Sequence, residues 1–237
     1  MLKYILVASV AAAASAAQAQ EPAADASAGV GEIIVTAQRK SENLQDVPIA
    51  ITAISGDALR RQQITDTTDL IGSVPSLQVT NQLGLASAFL RGIGTSAIAV
   101  EGSVATYIDG VYLPSQAASL TMLNNVERVE VLKGPQGTLF GRNSTGGVIQ
   151  VVTRDPSHTP TMDLSLGYGN YRTVSTSAYI SSGITDTIAA DLAITYSDQG
   201  KGWGRNLTTG GEILKANSYA VRSKWVFRPS AATKITV

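Results

Sequence analysis

The chain contains no cysteine and a single histidine, His158. The first absence excludes disulfide scaffolds, thiolate metal sites and cysteine nucleophiles. His158 stands between Pro156 and Pro160, where a solvated linker residue fits better than a lone metal ligand. A zinc site would otherwise need carboxylates almost alone. Charge is scarce: 15% of residues are Asp, Glu, Lys or Arg, below the roughly 25% of ordinary globular proteins. Net charge is zero, so nothing points to nucleic acid or to an acidic surface as partner. The apolar run Tyr4 to Ala14 falls short of the ~20 residues that a spanning helix needs. With Lys3 before it and Ala17-Gln18-Ala19 after it, residues 1–19 read as a signal peptide cleaved near Ala19. Its removal leaves no hydrophobic helix, and the mature chain, from about Gln20, lies outside the cytoplasm.

What the chain does have is concentrated between Val126 and Asp155. Val126, Val129, Val131 and Leu132 make a β-branched run that Pro135 should end, since proline donates no ladder hydrogen bond. Gly134, Gly137, Gly141, Gly146 and Gly147 follow as a glycine-rich turn. Val148, Ile149, Val151 and Val152 then resume as a nearly all-apolar strand, the pattern of one buried on both faces. Phosphate-binding loops need G-x-x-x-x-G-K-[ST] or G-x-G-x-x-G between a strand and a helix. Neither spacing occurs here, and the residues after Gly147 are strand-like.

The ordered succession of an ERVEVLKGP strand, a turn containing Gly141-Arg142 and a GGVIQVVT strand resembles the end of the plug domain in TonB-dependent outer-membrane receptors. Phe89 to Gly94 (FLRGIG) and Val104 to Leu113 (VATYIDGVYL) resemble further plug elements, and Asp109-Gly110 between apolar residues is a hairpin signal in its own right. Upstream, Val47 to Ile54 reads as a strand, Ser55-Gly56-Asp57 as a turn capping a helix that starts near Ala58, and Thr65 to Ile71 as a second short helix that Pro75 stops. Leu77 to Thr80 returns to extended structure. Residues 45–155 thus form one α+β domain, long enough for its own core.

Residues 20–31, rich in Ala, Ser, Pro and Gly, form a flexible tether. Glu32, Ile33, Ile34, Val35, Thr36 and Ala37 follow as a β-prone island. On propensity it fits the first strand of a globular domain equally well. As a strand offered to a partner it would bind through backbone hydrogen bonds, and its position resembles the TonB box. The resemblance implies that periplasmic TonB, with its inner-membrane energising complex, engages residues 32–37. The short span between Ala19 and Glu32 leaves no room for the extra N-terminal signalling domain of some family receptors.

The same resemblance implies ligand-facing plug apices at Asn81 to Ser87 and Gly94 to Ser103, with Gln82, Leu83, Gly84, Thr95, Ser96 and Glu101 as candidate contacts. It places Arg91, Glu130 and Arg142 as candidate contacts between plug and barrel wall. Ordinary surface charge is the plainer account of both arginines. Glu101, Asp109 and Glu130 could be taken for paired catalytic carboxylates, but nothing positions a nucleophile or base beside them, so an enzyme is not expected. No cofactor is implied.

From Thr161 the pattern changes. Apolar and polar residues alternate through Met162–Tyr168, Arg172–Ile180, Ile188–Ser197 and Tyr219–Phe227, and Lys234–Val237 begins another run. Period two over ~10-residue segments is the signature of a transmembrane β-barrel, with Tyr168, Tyr196, Trp225 and Phe227 suited to its aromatic girdles. A soluble sandwich shows the same alternation. Gly200 to Gly211 reads as a long polar loop. Residues 160–237 supply four strands and part of a fifth, whereas plugged outer-membrane transporters use about 22. An unclosed edge is not tolerated in lipid.

The expected architecture is therefore an α+β plug domain followed by antiparallel strands of an incomplete transmembrane β-barrel. The expected whole is an outer-membrane receptor for energised uptake of a scarce small molecule such as a ferric siderophore, with outer-membrane lipid around the barrel. A passive porin, a soluble periplasmic plug-like binding module and a non-functional remnant are the alternatives.

Overall fold

The computed structural model describes residues 34–36, 40, 42–82, 85–96, 101–114, 123–230 and 232–237. The signal peptide, the tether, Glu32, Ile33, Ala37, Leu83 and Gly84 lie outside the described residues. Two short strands, β1 (Ile34–Val35) and β2 (Glu42–Asn43), pair antiparallel ahead of β3 (Ile51–Ser55). Ser55 caps helix α1 (Gly56–Arg61) by accepting the Ala58 N–H at 3.3 Å, so the helix starts at Gly56 rather than near Ala58.

Thr65 to Ile71 does not form the expected second helix; only a 3-10 turn at Asp69–Gly72 is present. The Asp66 carboxylate takes the N–H groups of Thr68 and Asp69, and the Asp69 carboxylate takes those of Thr65 and Asp66. Short acidic side chains here offer the backbone an alternative to the helix.

Next come β4 (Leu77–Gln82), β5 (Leu85–Leu90) and β6 (Ile93–Gly94), a small antiparallel sheet. β7 (Val104–Ile108) and β8 (Val111–Leu113) form the hairpin that Asp109-Gly110 predicts. Both turn residues have positive φ, 48° and 83°, the conformation a tight two-residue hairpin turn requires. β9 (Val126–Lys133) and β10 (Gly147–Thr153) follow, and the glycine-rich turn between them holds a short helix, α2 (Gly137–Phe140), that the glycine count hides.

These strands assemble in the order β3-β9-β10-β7-β8, with β10 antiparallel to β9 and parallel to β7. Central position accounts for the apolar run in β10, because both of its faces are covered. Val129, Val131, Ile149 and Val151 enter one core with Ile54, Leu59 and Leu70. Leu132 and Val148 enter the other, with Val35, Tyr107 and Phe140. Gly147 opens β10 at φ 146°, and a β-carbon there would sit 2.3 Å from the Leu132 carbonyl oxygen and 2.6 Å from Leu90 Cδ1. Gly147→Ala should therefore lower stability by about 2 kcal/mol or more, checked by thermal unfolding of the full-length receptor; an unchanged midpoint would refute the steric argument.

The second part is an antiparallel sheet that begins with β11 (Thr161–Gly169), β12 (Thr173–Thr185) and β13 (Ile188–Gln199) and is continued by three strands at residues 217–222, 225–230 and 233–236. After β13, the expected polar loop folds partly into a hairpin of β14 (Gly204–Arg205) and β15 (Glu212–Ile213). The fourth expected strand is interrupted at Ser223-Lys224, giving β16 (Asn217–Arg222) and β17 (Trp225–Ser230), before β18 (Thr233–Thr236). Register puts Leu164, Ala178, Ile194 and Val221 on one rung. Leu164, Ile194 and Val221, with Met162, Leu166, Ile180 and Tyr219 on the same face, are all exposed. The opposite face buries Tyr179, Ser181, Ala189, Asp191, Ala193, Lys224 and Val226, mostly small or polar residues. A soluble sandwich would turn its large apolar side chains inward. This sheet does the reverse, as a barrel wall with lipid outside does. Strands β11 and β18 have no further neighbour among the described residues, so the sheet is open.

Candidate functional sites on the plug

The N-terminal strand lies against the plug. Val35 is fully buried in the second core, while Ile34, on the other side of the strand, is 51% exposed. Thr36 donates its N–H to Glu130 Oε1 at 2.9 Å and its hydroxyl to the same carboxylate at 3.1 and 3.2 Å. Gln150 Nε2 donates to the Thr36 hydroxyl oxygen at 2.8 Å. Glu130 and Gln150 are register partners on β9 and β10, which brings their side chains to the same face.

Glu130, grouped in the sequence reading with Arg91 and Arg142 as a barrel contact, is enclosed inside the plug. It is 0% exposed, and Arg128 Nε holds it at 2.7 Å. Alternation places Arg128, Glu130 and Leu132 on one face of β9, whereas Val129 and Val131 fill the other core. Arg142 is exposed and donates to Glu101 Oε1 at 3.3 Å; Asn143 Nδ2 reaches the other Glu101 oxygen and, at 2.8 Å, the Tyr112 hydroxyl. Two sequence candidates with different expected roles, Glu101 and Arg142, are thus brought together. Gln82 ends β4 opposite Leu85, and Thr95 and Ser96 follow β6 directly.

Arg91 occupies a turn with φ 53°, beside Lys133 at the end of β9. Burial, and then the neighbouring Arg91 guanidinium, hold the Lys133 ammonium below its usual pKa. No carboxylate lies within salt-bridge distance of either cation among the described residues. Sequence reading missed Lys133, because only the fold shows that residues 91 and 133 adjoin.

A further cluster joins plug to sheet. Asp109, at the tip of the β7–β8 hairpin, accepts the Thr153 N–H at 2.8 Å and the Thr153 hydroxyl at 2.5 Å. Lys224, 7% exposed, lies 3.2 Å from Asp109 and 3.6 Å from Asp155, and donates to the Thr153 carbonyl at 3.1 Å. Its own N–H goes to Asp191 Oδ1 at 2.8 Å, which accounts for the break between β16 and β17. Arg228 and Lys234 also face Asp155. Alternation in the sequence puts Arg222 and Lys224 on the face opposite Val221 and Trp225; the structure turns that face inward, onto Asp109, Asp155 and Asp191.

Among the described residues, no group of three or more His, Asp or Glu side chains is arranged to hold a metal ion. No described helix is long and apolar enough to cross a membrane, which says nothing of strands.

Residues 43–148 match the family model described as TonB-dependent Receptor Plug Domain. The vitamin B12 transporter of Vibrio vulnificus is 32% identical over 145 residues, 58% of this chain and 23% of that protein. The pesticin receptor of Yersinia pestis is 31% identical over 131 residues, 54% of this chain and 19% of that protein. Among solved structures, the ferric yersiniabactin uptake receptor of Yersinia pestis superposes with a TM-score of 0.71 at 26% identity, covering 76% of this chain and 29% of that one. The pyoverdine outer membrane receptor of Pseudomonas aeruginosa, at 18% identity and a TM-score of 0.70, shares the fold over 86% of this chain. The chain spans less than a third of the length of these relatives. A matching plug domain, an adjoining sheet with its apolar face outward, and relatives that are transporters and receptors agree: residues 43–148 are a TonB-dependent receptor plug domain, and the chain as a whole is similar to the leading part of outer-membrane receptors.

Proposed function

We propose that this chain is the plug and leading barrel strands of a receptor that imports a scarce solute by TonB-dependent, energised uptake. The observation that carries the reading is the pairing of a plug domain with a wall that is apolar outside and mostly small or polar inside. That arrangement suits a barrel closed by its own plug, which needs an input of work to open. Residues Glu32 to Ala37 are the segment offered to TonB, through which the inner-membrane energising complex acts. Ligand binds at the outward apices that include Gln82, Leu83, Gly84, Thr95, Ser96 and Glu101. Arg91 and Lys133, which have no salt-bridge partner among the described residues, present two cations to carboxylates on the barrel wall, and Arg142 is exposed enough to share in that contact.

The named ligands of relatives are vitamin B12 and ferric yersiniabactin. A ferric siderophore is the preferred substrate class on that basis, with a cobalamin next. The full-length receptor should accumulate ligand in cells with TonB and lose that accumulation when TonB is depleted, with surface binding retained. Uptake that persists without TonB would instead indicate a passive porin.

A further inference from the structure

We infer that Glu130 is the positioning residue that holds the N-terminal strand in the plug, so that residues 34–36 leave only when one carboxylate surrenders its hydrogen bonds to Thr36. The inference rests on the reading of residues 32–37 as the strand offered to a partner.

Backbone pairing alone holds β1 weakly. Its ladder consists of two residues on a two-residue neighbour, and it is not part of the five-stranded sheet. What fastens it is a side chain standing in for a neighbouring strand. Glu130 accepts the Thr36 N–H, as a ladder carbonyl would, and also the Thr36 hydroxyl. Gln150 closes the set from the next strand. A carboxylate suits this place because it is acceptor-only and can meet two donors at once. It is aimed by Arg128, whose Nε lies 2.7 Å away and whose other end reaches Glu127.

Full burial makes the arrangement two-state. A buried carboxylate is costly unless its oxygens are hydrogen-bonded. Withdrawal of Thr36 takes away both of its donors to Glu130 and leaves only Arg128, so intermediate positions of the strand are poorly satisfied. The strand is held in place or it is out. Val35 moves with it, from full burial to solvent.

The test uses Val35→Cys in the full-length receptor, purified in detergent without ligand, labelled by a water-soluble maleimide. Position 35 is buried when the strand is held and reactive when it is out, so the labelling rate reads the released fraction. Thr36→Val removes the hydroxyl while keeping shape, in a strand outside the main sheet. Glu130→Gln keeps shape and halves the acceptor capacity. Each should raise the labelling rate about tenfold, the equivalent of one charge-assisted hydrogen bond, and the two together should add little beyond either alone, because they remove one shared interaction. An unchanged rate in Thr36→Val overturns the inference, as does a full multiplication of the two effects. Thr36→Val keeps the test decisive should Glu130→Gln fail to fold. TonB takes no part in the labelling, so failure here leaves the partner reading standing. Failure of the partner reading would appear in uptake and not in labelling.

Discussion

Ile34→Pro should abolish the proposed energised uptake by the full-length receptor while ligand still binds at the cell surface. Ile34 lies on the exposed side of β1, opposite Asn43, and its side chain is about half exposed. Replacing it removes little from the core, which Val35 enters instead. What proline removes is one backbone donor, and it fixes φ so that the strand bends. A partner that binds by adding a strand draws its affinity from that row of backbone groups, so a single lost donor in a short segment falls on the interaction itself. Ile34→Ala keeps the backbone and should retain most of the uptake. The measurement is accumulation of radiolabelled ligand beside surface binding in the same cells. Active accumulation at the wild-type rate in the proline variant would remove residues 32–37 as the TonB-binding segment.

Lys224→Met should loosen the plug from the sheet. Lys224 is almost wholly enclosed and faces Asp109, Asp155 and the Thr153 carbonyl together. Removing one member of a buried ion pair typically costs about 3–5 kcal/mol, because the remaining charge stays buried without its partner. Asp109 keeps two hydrogen bonds from Thr153, which puts the expected loss toward the lower end of that range. The check is the thermal unfolding midpoint of the purified receptor together with protease sensitivity of the plug. Both unchanged would mean that the seam contributes nothing. Acid should act on the same seam. Burial raises the pKa of Asp155, but the ammonium of Lys234, then Lys224 and Arg228, outweigh it, and the net value lies below the ordinary one. A depressed carboxylate contributes stability above its unfolded pKa and loses it as pH falls through its folded value. Stability should therefore decline on the acid side of the usual aspartate range, and Asp155→Asn should flatten that limb.

Several elements were legible because local chemistry is enough to specify them. Asp109-Gly110 makes its hairpin since both residues tolerate positive φ. The apolar run of β10 announced a strand covered on both faces, and it is the strand flanked by β9 and β7. Other elements were misread where side chains compete with the backbone. Asp66 and Asp69 capture N–H groups that a helix pattern over Thr65 to Ile71 assigns elsewhere. The Asp191 carboxylate takes the Lys224 N–H and interrupts a strand whose alternation is unbroken in sequence.

The candidate sites divide in the same way. Residues 34–36 were picked out as a candidate by their position in sequence, whereas Glu130, which accepts the Thr36 N–H, is remote in sequence and carries no local mark of that contact. Glu101 and Arg142 were each picked out separately, and only folding makes them a pair.

The sequence by itself determined most of the long strands, the Asp109-Gly110 turn, and that the first part resembles a plug domain. Periodicity and turn chemistry are properties of neighbouring residues, and they survive without knowledge of the fold. Only the tertiary structure decided which face of the later strands is covered, that Lys133 stands beside Arg91, that Lys224 anchors the plug, and that Glu130 closes on Thr36. Those are meetings between groups distant along the chain, and charge and hydrogen bonding choose partners by proximity in space, which alternation in sequence does not encode.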